Sequence, residues 1–399
     1  MPNVLILGGR APVALDLARR FAHAGWTARV ADSAPCRISG SSVSVASVVR
    51  LASPRREPER FAADLEGAVL AHAIDLVLPT CEEVFHVARW RHRLPEHVSV
   101  LAEELGTLRR LHSKAEFPVL AAEHGLDVPE TARVRTLREA RAWAQGRGVV
   151  LKPEFSRFGV HVRRYVSGIP QDAPELGEGG AWVVQELLTG DERCSYAVAH
   201  RGRVLAHAVY RPRWSMPGGA SFYFAPARDD LIRAAVRRLV AGICFTGQIS
   251  LDWIRQADGR IRPLECNPRA TSGLHLFGAD DPLPAALAGE LDGCIEPIDP
   301  PPRMIAPMML TAGLREAVRT GRIAQWAADR RAAQDVLAVA GDRAPLRGGL
   351  HDLAGHARRA RAARQSLPEA ATADIEWDGD EARPALSGAP SASVPGGPV

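Results

Sequence analysis

The residues best placed to do chemistry in this 399-residue sequence lie in QISLDWIRQADGRIRPLECNPR, residues 248–269. Ile249 to Ile254 and Ile261 to Glu265 have the branched, apolar character of strands, and Asp258-Gly259 between them is a strong two-residue hairpin turn. With those two at the tip, Ala257 pairs with Arg260, and counting outward sets Asp252 opposite Glu265 on one face of the sheet. Side chains alternate along a strand, so Asn267 shares that face, and Arg269 joins it if the chain stays extended. Two carboxylates held side by side repel and call for a cation. Hard oxygen donors suit Mg²⁺, which completes its shell with water and substrate phosphates, and a guanidinium just beyond suits a transferring phosphoryl group. The competing reading is a solvated hairpin face with unrelated acids. Against it stands the order Glu-x-Asn-Pro-Arg, in which Pro268 ends the strand where Asn267 and Arg269 must be presented.

Those side chains need a scaffold. Val4 to Leu7 is a short apolar strand, Gly8-Gly9 a turn, and Ala14, Leu15, Ala18, Phe21 and Ala22 fall on one helical face that stops at Gly25. Thr27 to Ala31 is a second strand ending at Asp32, residues 61–73 a helix, and residues 75–78 a strand ending at Pro79-Thr80. Repeats of that length predict a Rossmann-like parallel sheet with helices on both faces. The dinucleotide fingerprint is absent, because Arg10, Ala11, Pro12 and Val13 stand where bare backbone would approach a pyrophosphate. Ligands of such sheets bind at the carboxyl ends of the strands. Arg10, Asp32, Glu82 and Glu83 are therefore candidates for substrate contact, with solvated charge as the alternative.

Beyond residue 110 the pattern changes. HSKAEFPVLAAEHGLDVPET reads as a helix carrying Lys114 near its start, and Val149 to Pro153 as a buried strand ending in Lys152-Pro153, with the loop EFSRFGVHV after it. Residues 181–184 form another apolar strand running into Gln185-Glu186-Leu187-Leu188, and Arg201-Gly202 is a hairpin tip. His207, Tyr210, Arg211 and Arg213 follow it, where arginines could recognise an acidic substrate. Asp229 caps a helix with the apolar stripe Leu231, Ala235, Val236, Leu239, Val240 and Ile243.

At this length two or three domains can each bury a core. A hydrophobic share of 46% with 24% charged residues is that of an ordinary globular protein, and a net charge of +4 with Arg spread throughout gives little support to a nucleic-acid partner. The six cysteines are far apart and lack zinc-site spacing, so they read as buried thiols in a reducing compartment. The start MPNVLILGGR enters a strand directly, and no apolar run reaches the ~18 residues of a membrane span. The expectation is a cytoplasmic protein without membrane partners.

Glu265-x-Asn267-Pro268-Arg269, with an acid on the partner strand, resembles the ATP-grasp superfamily, close to the branch of the carbamoyl-phosphate synthase large chain and biotin carboxylase. Lys114, Lys152-Pro153, the loop after it, and Gln185 to Leu188 match that family's elements in order and spacing. The resemblance implies a chain of mixed α/β and α+β class: a Rossmann-like, parallel-sheet pre-ATP-grasp domain over residues 1–110 and an ATP-grasp domain over 111–299. Beyond these we expect a small helical C-terminal domain over 300–377, rich in Ala and Arg and without evident chemistry. Residues 378–399, rich in Pro, Gly and Ser, are expected to be disordered.

The resemblance also assigns roles. Lys114 and Lys152 would contact nucleotide phosphates, and the loop Ser156, Arg157, Phe158 and Gly159 would cover them. Its single glycine departs from glycine-rich relatives and leaves Arg157 as an added phosphate contact. Gln185, Glu186, Leu187 and Leu188 would meet the adenine edge and Glu192 the ribose. Asp252, Glu265 and Asn267 would hold one or two Mg²⁺, with Mn²⁺ as a substitute, and Arg269 would be catalytic. Substrate candidates are Arg10, Glu82, Glu83, His207, Tyr210, Arg211, Ser272, Gly273 and His275. The implied activity is ATP-dependent carboxylate–amine ligation through an acyl phosphate, releasing ADP and phosphate, with small-molecule carboxylate and amine as partners and a homodimer left open. The alternatives are another ATP-grasp enzyme, a carboxylase or carbamoyl-phosphate-type phosphotransferase, or a non-catalytic nucleotide-binding protein.

Overall fold

A computed structural model of the chain describes residues 1–156, 161–177, 180–216, 220–364 and 366–379. The first sheet is parallel and runs β3-β2-β1-β4-β5, from β1 (Asn3–Leu7), β2 (Thr27–Asp32), β3 (Ser47–Arg50), β4 (Leu76–Leu78) and β5 (Ser99–Val100). Val4 to Leu7 are all buried because helices cover both faces, so β1 reads as a continuous apolar run. The strands at the two edges, β3 and β5, are short and partly exposed, and the sequence pattern does not reveal them. Strand order reverses between β1 and β4, and Gly8 sits there with φ +75°, where a Cβ would strike the Thr80 hydroxyl.

The second sheet is antiparallel, ordered β6-β9-β7-β8, from β6 (Thr131–Val134), β7 (Val149–Pro153), β8 (Arg163–Tyr165) and β9 (Trp182–Glu186). The third runs β14-β13-β10-β11-β12-β15-β16. Its strands are β10 (Asp191–His200), β11 (Arg203–Pro212), β12 (Tyr223–Ala227), β13 (Gly247–Arg255), β14 (Ile261–Asn267), β15 (Arg303–Met304) and β16 (Gln334–Asp335). Arg201 and Gly202 both have positive φ at the β10–β11 turn, as a tight hairpin requires.

The long strands β10, β11 and β13 have two buried faces. Ala197, Ala199, Val209, Ile249, Leu251 and Trp253 share a core with helix Asp230–Gly242. That helix buries Ile232, Val236, Leu239 and Val240, while Leu231, expected in the stripe, is 51% exposed. The spacing i, i+4, i+7, i+8 explains the shift, and the Asp229 cap accepts from Ile232 N–H. On the opposite face Tyr196, Val198, Ala206, Ala208 and Tyr210 join Val4, Ile6 and the helix Pro12–His23, so the third sheet and the first share a core.

Residues beyond 300 are joined to the rest through buried acids. Asp329 accepts from Trp214 Nε1 at 2.9 Å, Asp342 from Arg19 Nε at 2.8 Å, and Asp352 from Ile38 N–H at 2.8 Å. Helix Ala344–Ala363 lies against helix Arg37–Gly40, with Gly348 where a Cβ would meet the Arg37 carbonyl. Residues 371–377 then return to the carboxyl ends of the first sheet, where Trp377 N–H donates to Glu82. Of the tail expected to be disordered, residues 380–399 lie outside the described residues. No helix among the described residues is long and apolar enough to cross a membrane.

Candidate active site

The hairpin forms, but its register near the tip differs from the two-residue reading. Gln256 N–H bonds the Arg260 carbonyl, Arg255 pairs with Ile261 and Trp253 with Pro263, so three residues occupy the turn, and Gly259 takes φ +86°. A bulge at Leu264 then inserts one residue into β14, and beyond it Asp252 does face Glu265, with Ser250 facing Asn267. The two one-residue offsets cancel. The edge position of β14 and the bulge also explain how Pro263 is tolerated within a strand.

At the bulge Lys152 Nζ, arriving from β7, donates to the Leu264 carbonyl at 3.2 Å and to Gln185 Oε1 at 3.0 Å. Lysine and bulge thus join the second sheet to the third at the hairpin. Arg262 adds a second tie, donating to Glu186 at 3.0 Å. Lys114 stands in the turn between helices Leu105–His112 and Glu116–Glu123 rather than inside a helix. Its Nζ donates to the Ser156 carbonyl at 2.9 Å and lies 3.9 Å from Glu265.

Burial and the charge of Glu265 push Asp252 up to about 7. Burial would raise Glu265 too, but Lys114 and Lys152 hold it below the usual carboxylate range. Burial also pushes Lys152 down to about 8, against the pull of Glu265 and with the help of Lys114. The carboxyl pair is therefore short of positive charge, and Asn267 Oδ1 lies two residues along the same strand. Two carboxylates and an amide oxygen fit a hard divalent cation that takes its remaining ligands from water and phosphate. Among the described residues no three of His, Cys, Asp and Glu gather to hold a metal unaided.

Strand pairing aligns Tyr210, Cys194, Asp252 and Glu265 in one row across β11, β10, β13 and β14. The Cys194 thiol lies beside Asp252, and Tyr210 beside Cys194. Arg269 donates to Asn267 Oδ1 at 3.0 Å, and the Ser250 hydroxyl lies 2.8 Å from that of Thr271. Gly273 packs where a Cβ would strike Tyr196, with Ser272 beside it, so Tyr210, Ser272 and Gly273 stay near the row. Glu192 is two residues from Cys194, on the same face and 57% exposed, 4.0 Å from Arg164. In the segment 185–188, the N–H groups of Glu186 and Leu187 are taken by the carbonyls of Glu130 and Gly148. The Gln185 side chain is committed to Lys152 and Thr131. That leaves carbonyls and Leu188 N–H, which has no backbone acceptor among the described residues. Ser156 is in place at the start of its loop; Arg157, Phe158 and Gly159 lie outside the described residues.

Other substrate candidates are placed elsewhere. Arg10 is buried and saturated, paired with Asp32 and Asp374 and donating to Ser33 and the Ala371 carbonyl. Glu83 accepts from Thr80 and Cys81 N–H at 2.9 and 2.8 Å, closing its own turn, and Glu82 is buried against Trp377 N–H. His207 and Arg211 are offset from Tyr210 by an odd number of residues and face the opposite side of β11. His207 is buried near Glu296, where burial lowers it to about 4, and Arg211 pairs with Asp191 at 3.0 Å. Arg213 pairs with Asp329. His275 is buried 2.7 Å from Asp16, linking the loop after the hairpin to the first domain.

Sequence reasoning missed Glu154, next to Lys152-Pro153. Its carboxylate accepts from Ser113 Oγ and from Arg133 Nε at 2.8 Å, and its carbonyl accepts from Lys114 N–H at 3.3 Å. It also missed Cys194 and Trp377. An acid directly after Lys-Pro was the available signal for the first; the other two depend on strand register and on a long-range return of the chain.

No family model and no curated protein matches the sequence. Solved structures do. N5-carboxyaminoimidazole synthetase from Staphylococcus aureus, complexed with ADP, matches with a TM-score of 0.60 at 14% identity, over 79% of this chain and 86% of that one. L-amino acid ligase from Bacillus licheniformis matches at 0.56 and 16% identity, over 76% and 80%. Biotin carboxylase from Campylobacter jejuni matches at 0.56 and 12% identity, over 71% and 70%. These are ATP-grasp proteins, and the chain has the ATP-grasp fold behind a parallel-sheet domain.

Proposed function

We propose that this protein is an ATP-dependent carboxylate–amine ligase with its site at the β13–β14 hairpin. One observation carries the reading: Asp252 and Glu265 face each other across the strands, with Lys114 3.9 Å from Glu265 and Lys152 reaching over from the second sheet. Acids and lysines so arranged suit a divalent cation and a polyphosphate together, and the ADP complex of the Staphylococcus aureus synthetase supports a nucleotide on this fold.

In the proposed reaction a substrate carboxylate oxygen attacks the γ-phosphorus of ATP, the bond to the β-phosphate oxygen breaks, and ADP leaves. An amine then attacks the acyl carbon, phosphate departs with the bonding pair, the amine gives up a proton, and an amide remains. Asp252, Glu265 and Asn267 would hold Mg²⁺, which when bound neutralises phosphate charge and orients the chain of phosphates. Lys114 and Lys152 balance the phosphates as point charges, and Arg269, beside Asn267, strengthens its hold as charge develops on the transferring group. The carboxylate nucleophile is already ionised, so this step needs no base. The carbonyls and Leu188 N–H of segment 185–188 suit the adenine edge, and Glu192 the ribose hydroxyls.

A second reading is favoured by the carboxylases of like fold: bicarbonate could take the place of the substrate carboxylate, so that the amine is carboxylated. A screen of amino acids, small carboxylates and bicarbonate for ADP release, with product mass measured, separates the two. Amine-dependent ADP release with an amide product is expected for the wild type and not for Glu265→Gln. Equal release by the variant would refute the site, and release only with bicarbonate would select the second reading.

A further inference from the structure

This inference rests on the nucleotide reading above and concerns a stretch to which that reading gives no role. Trp377 lies 120 residues or so downstream of the hairpin, yet it is buried among rings from the site's approaches. It stacks on Phe85 with centroids 4.5 Å apart, meets Phe155 edge-on at 5.4 Å, and lies 6.3 Å from His112. His112 and Phe155 are themselves 5.9 Å apart. His112 is two residues before Lys114, and Phe155 is one before Ser156, whose carbonyl receives the Lys114 ammonium at 2.9 Å. The two segments are also bonded directly, Lys114 N–H to the Glu154 carbonyl and Ser113 Oγ to the Glu154 carboxylate. Trp377 therefore packs against both pieces of chain that hold Lys114.

The tryptophan is itself held firmly. Asp374 pairs with Arg10 and accepts from Ser33 Oγ at 2.7 Å, and its carbonyl accepts from Ser53 Oγ at 2.7 Å and Arg55 N–H at 3.3 Å. Trp377 N–H donates to Glu82 at 3.1 Å. A rigid aromatic so anchored can fix the side chains that lean on it, and placement errors of an ångström at a charged contact are costly. We propose that Trp377 is a positioning residue of the nucleotide site, setting Lys114 toward the polyphosphate through His112 and Phe155. The C-terminal stretch is then part of the phosphate-binding apparatus, although it touches no reacting atom.

The test uses the full chain and two probes, MgADP and adenosine, titrated calorimetrically into wild type, Trp377→Ala, Trp377→Phe, Lys114→Met and the Trp377→Ala/Lys114→Met double variant. Thermal melts and near-UV circular dichroism confirm folding. Trp377→Ala is expected to weaken MgADP about tenfold and to leave adenosine within about twofold, with Trp377→Phe recovering most of the loss. In the double variant the tryptophan change should add nothing to the lysine change. Phe155→Ala, which removes the same contact from the other side, should give the same split if Trp377→Ala does not fold. Equal weakening of both probes, no weakening of MgADP, or additive effects in the double variant would overturn the inference alone. Wild-type protein that binds neither probe would overturn the nucleotide reading, and the inference with it.

Discussion

The carboxyl end of the first sheet and the β13–β14 hairpin both bring acids and bases together, under opposite rules. At the first, Arg10 has Asp32, Asp374, a hydroxyl and a carbonyl, and Glu83 has two N–H donors. At the second, two carboxyl groups face each other, and their nearest ammonium is 3.9 Å away and spends a hydrogen bond on a carbonyl. A buried charge with every partner supplied belongs to the fold, because removing one partner strands the others. A facing pair of carboxyl groups that shares an ammonium at 3.9 Å keeps an electrostatic cost, visible in the raised Asp252, that a bound cation can relieve. Residue type at a strand end does not separate the two cases; partner supply does.

The sharpest way to break the comparison is to neutralise one charge at each place. Glu265→Gln should lower substrate-dependent ADP release by about a thousandfold while lowering the urea midpoint only slightly, since the amide gives up the pull of Lys114 and Lys152 but also relieves repulsion with Asp252. A variant that keeps its turnover would remove the hairpin from the chemistry. Arg10→Met should do the reverse, costing about 3 kcal/mol of stability in urea unfolding by leaving Asp32 and Asp374 buried and unpaired. Loss of turnover with an unshifted midpoint would return Arg10 to the substrate site.

A smaller effect concerns Lys152. Below about 8 its ammonium is charged and attracts phosphate; above that it is neutral. Metal-free ADP should therefore bind up to about tenfold more weakly as pH rises from about 7 to about 9, one screened charge being lost. Lys152→Met should flatten that profile, and a profile equally steep in the variant would assign the titration to another group. Smallest of all, Arg211→Ala, on the wrong side of β11 and paired with Asp191 where about half of each side chain is exposed, should change stability by about 0.5 kcal/mol or less and leave KM for every substrate unchanged. A raised KM would mean that the odd-numbered face of β11 meets substrate.

Much of this was legible in the chain because the signals are local. The apolar run of β1, the Lys152-Pro153 strand end and the Arg201-Gly202 turn depend on neighbours in sequence. The hairpin was legible for a less secure reason: the two-residue tip predicted the Asp252–Glu265 pairing only because the bulge at Leu264 compensates for a three-residue turn. Nothing in the local composition announces that bulge, whose carbonyl accepts from a lysine 112 residues away. The partners of Arg10 and His275 are not legible for the same kind of reason, since Asp374 and Asp16 come from distant parts of the chain. That His207 and Arg211 face away from Tyr210 is legible by counting, because side chains alternate along β11.

The central claim is that Asp252, Glu265 and Asn267 hold a divalent ion against a nucleotide, and the most direct test is electron paramagnetic resonance of Mn²⁺ titrated into the protein with and without ADP. Wild type should take up Mn²⁺ far more tightly when ADP is present, and Glu265→Gln should lose that increment while remaining folded. Uptake that ignores ADP, or that is the same in both proteins, would contradict it.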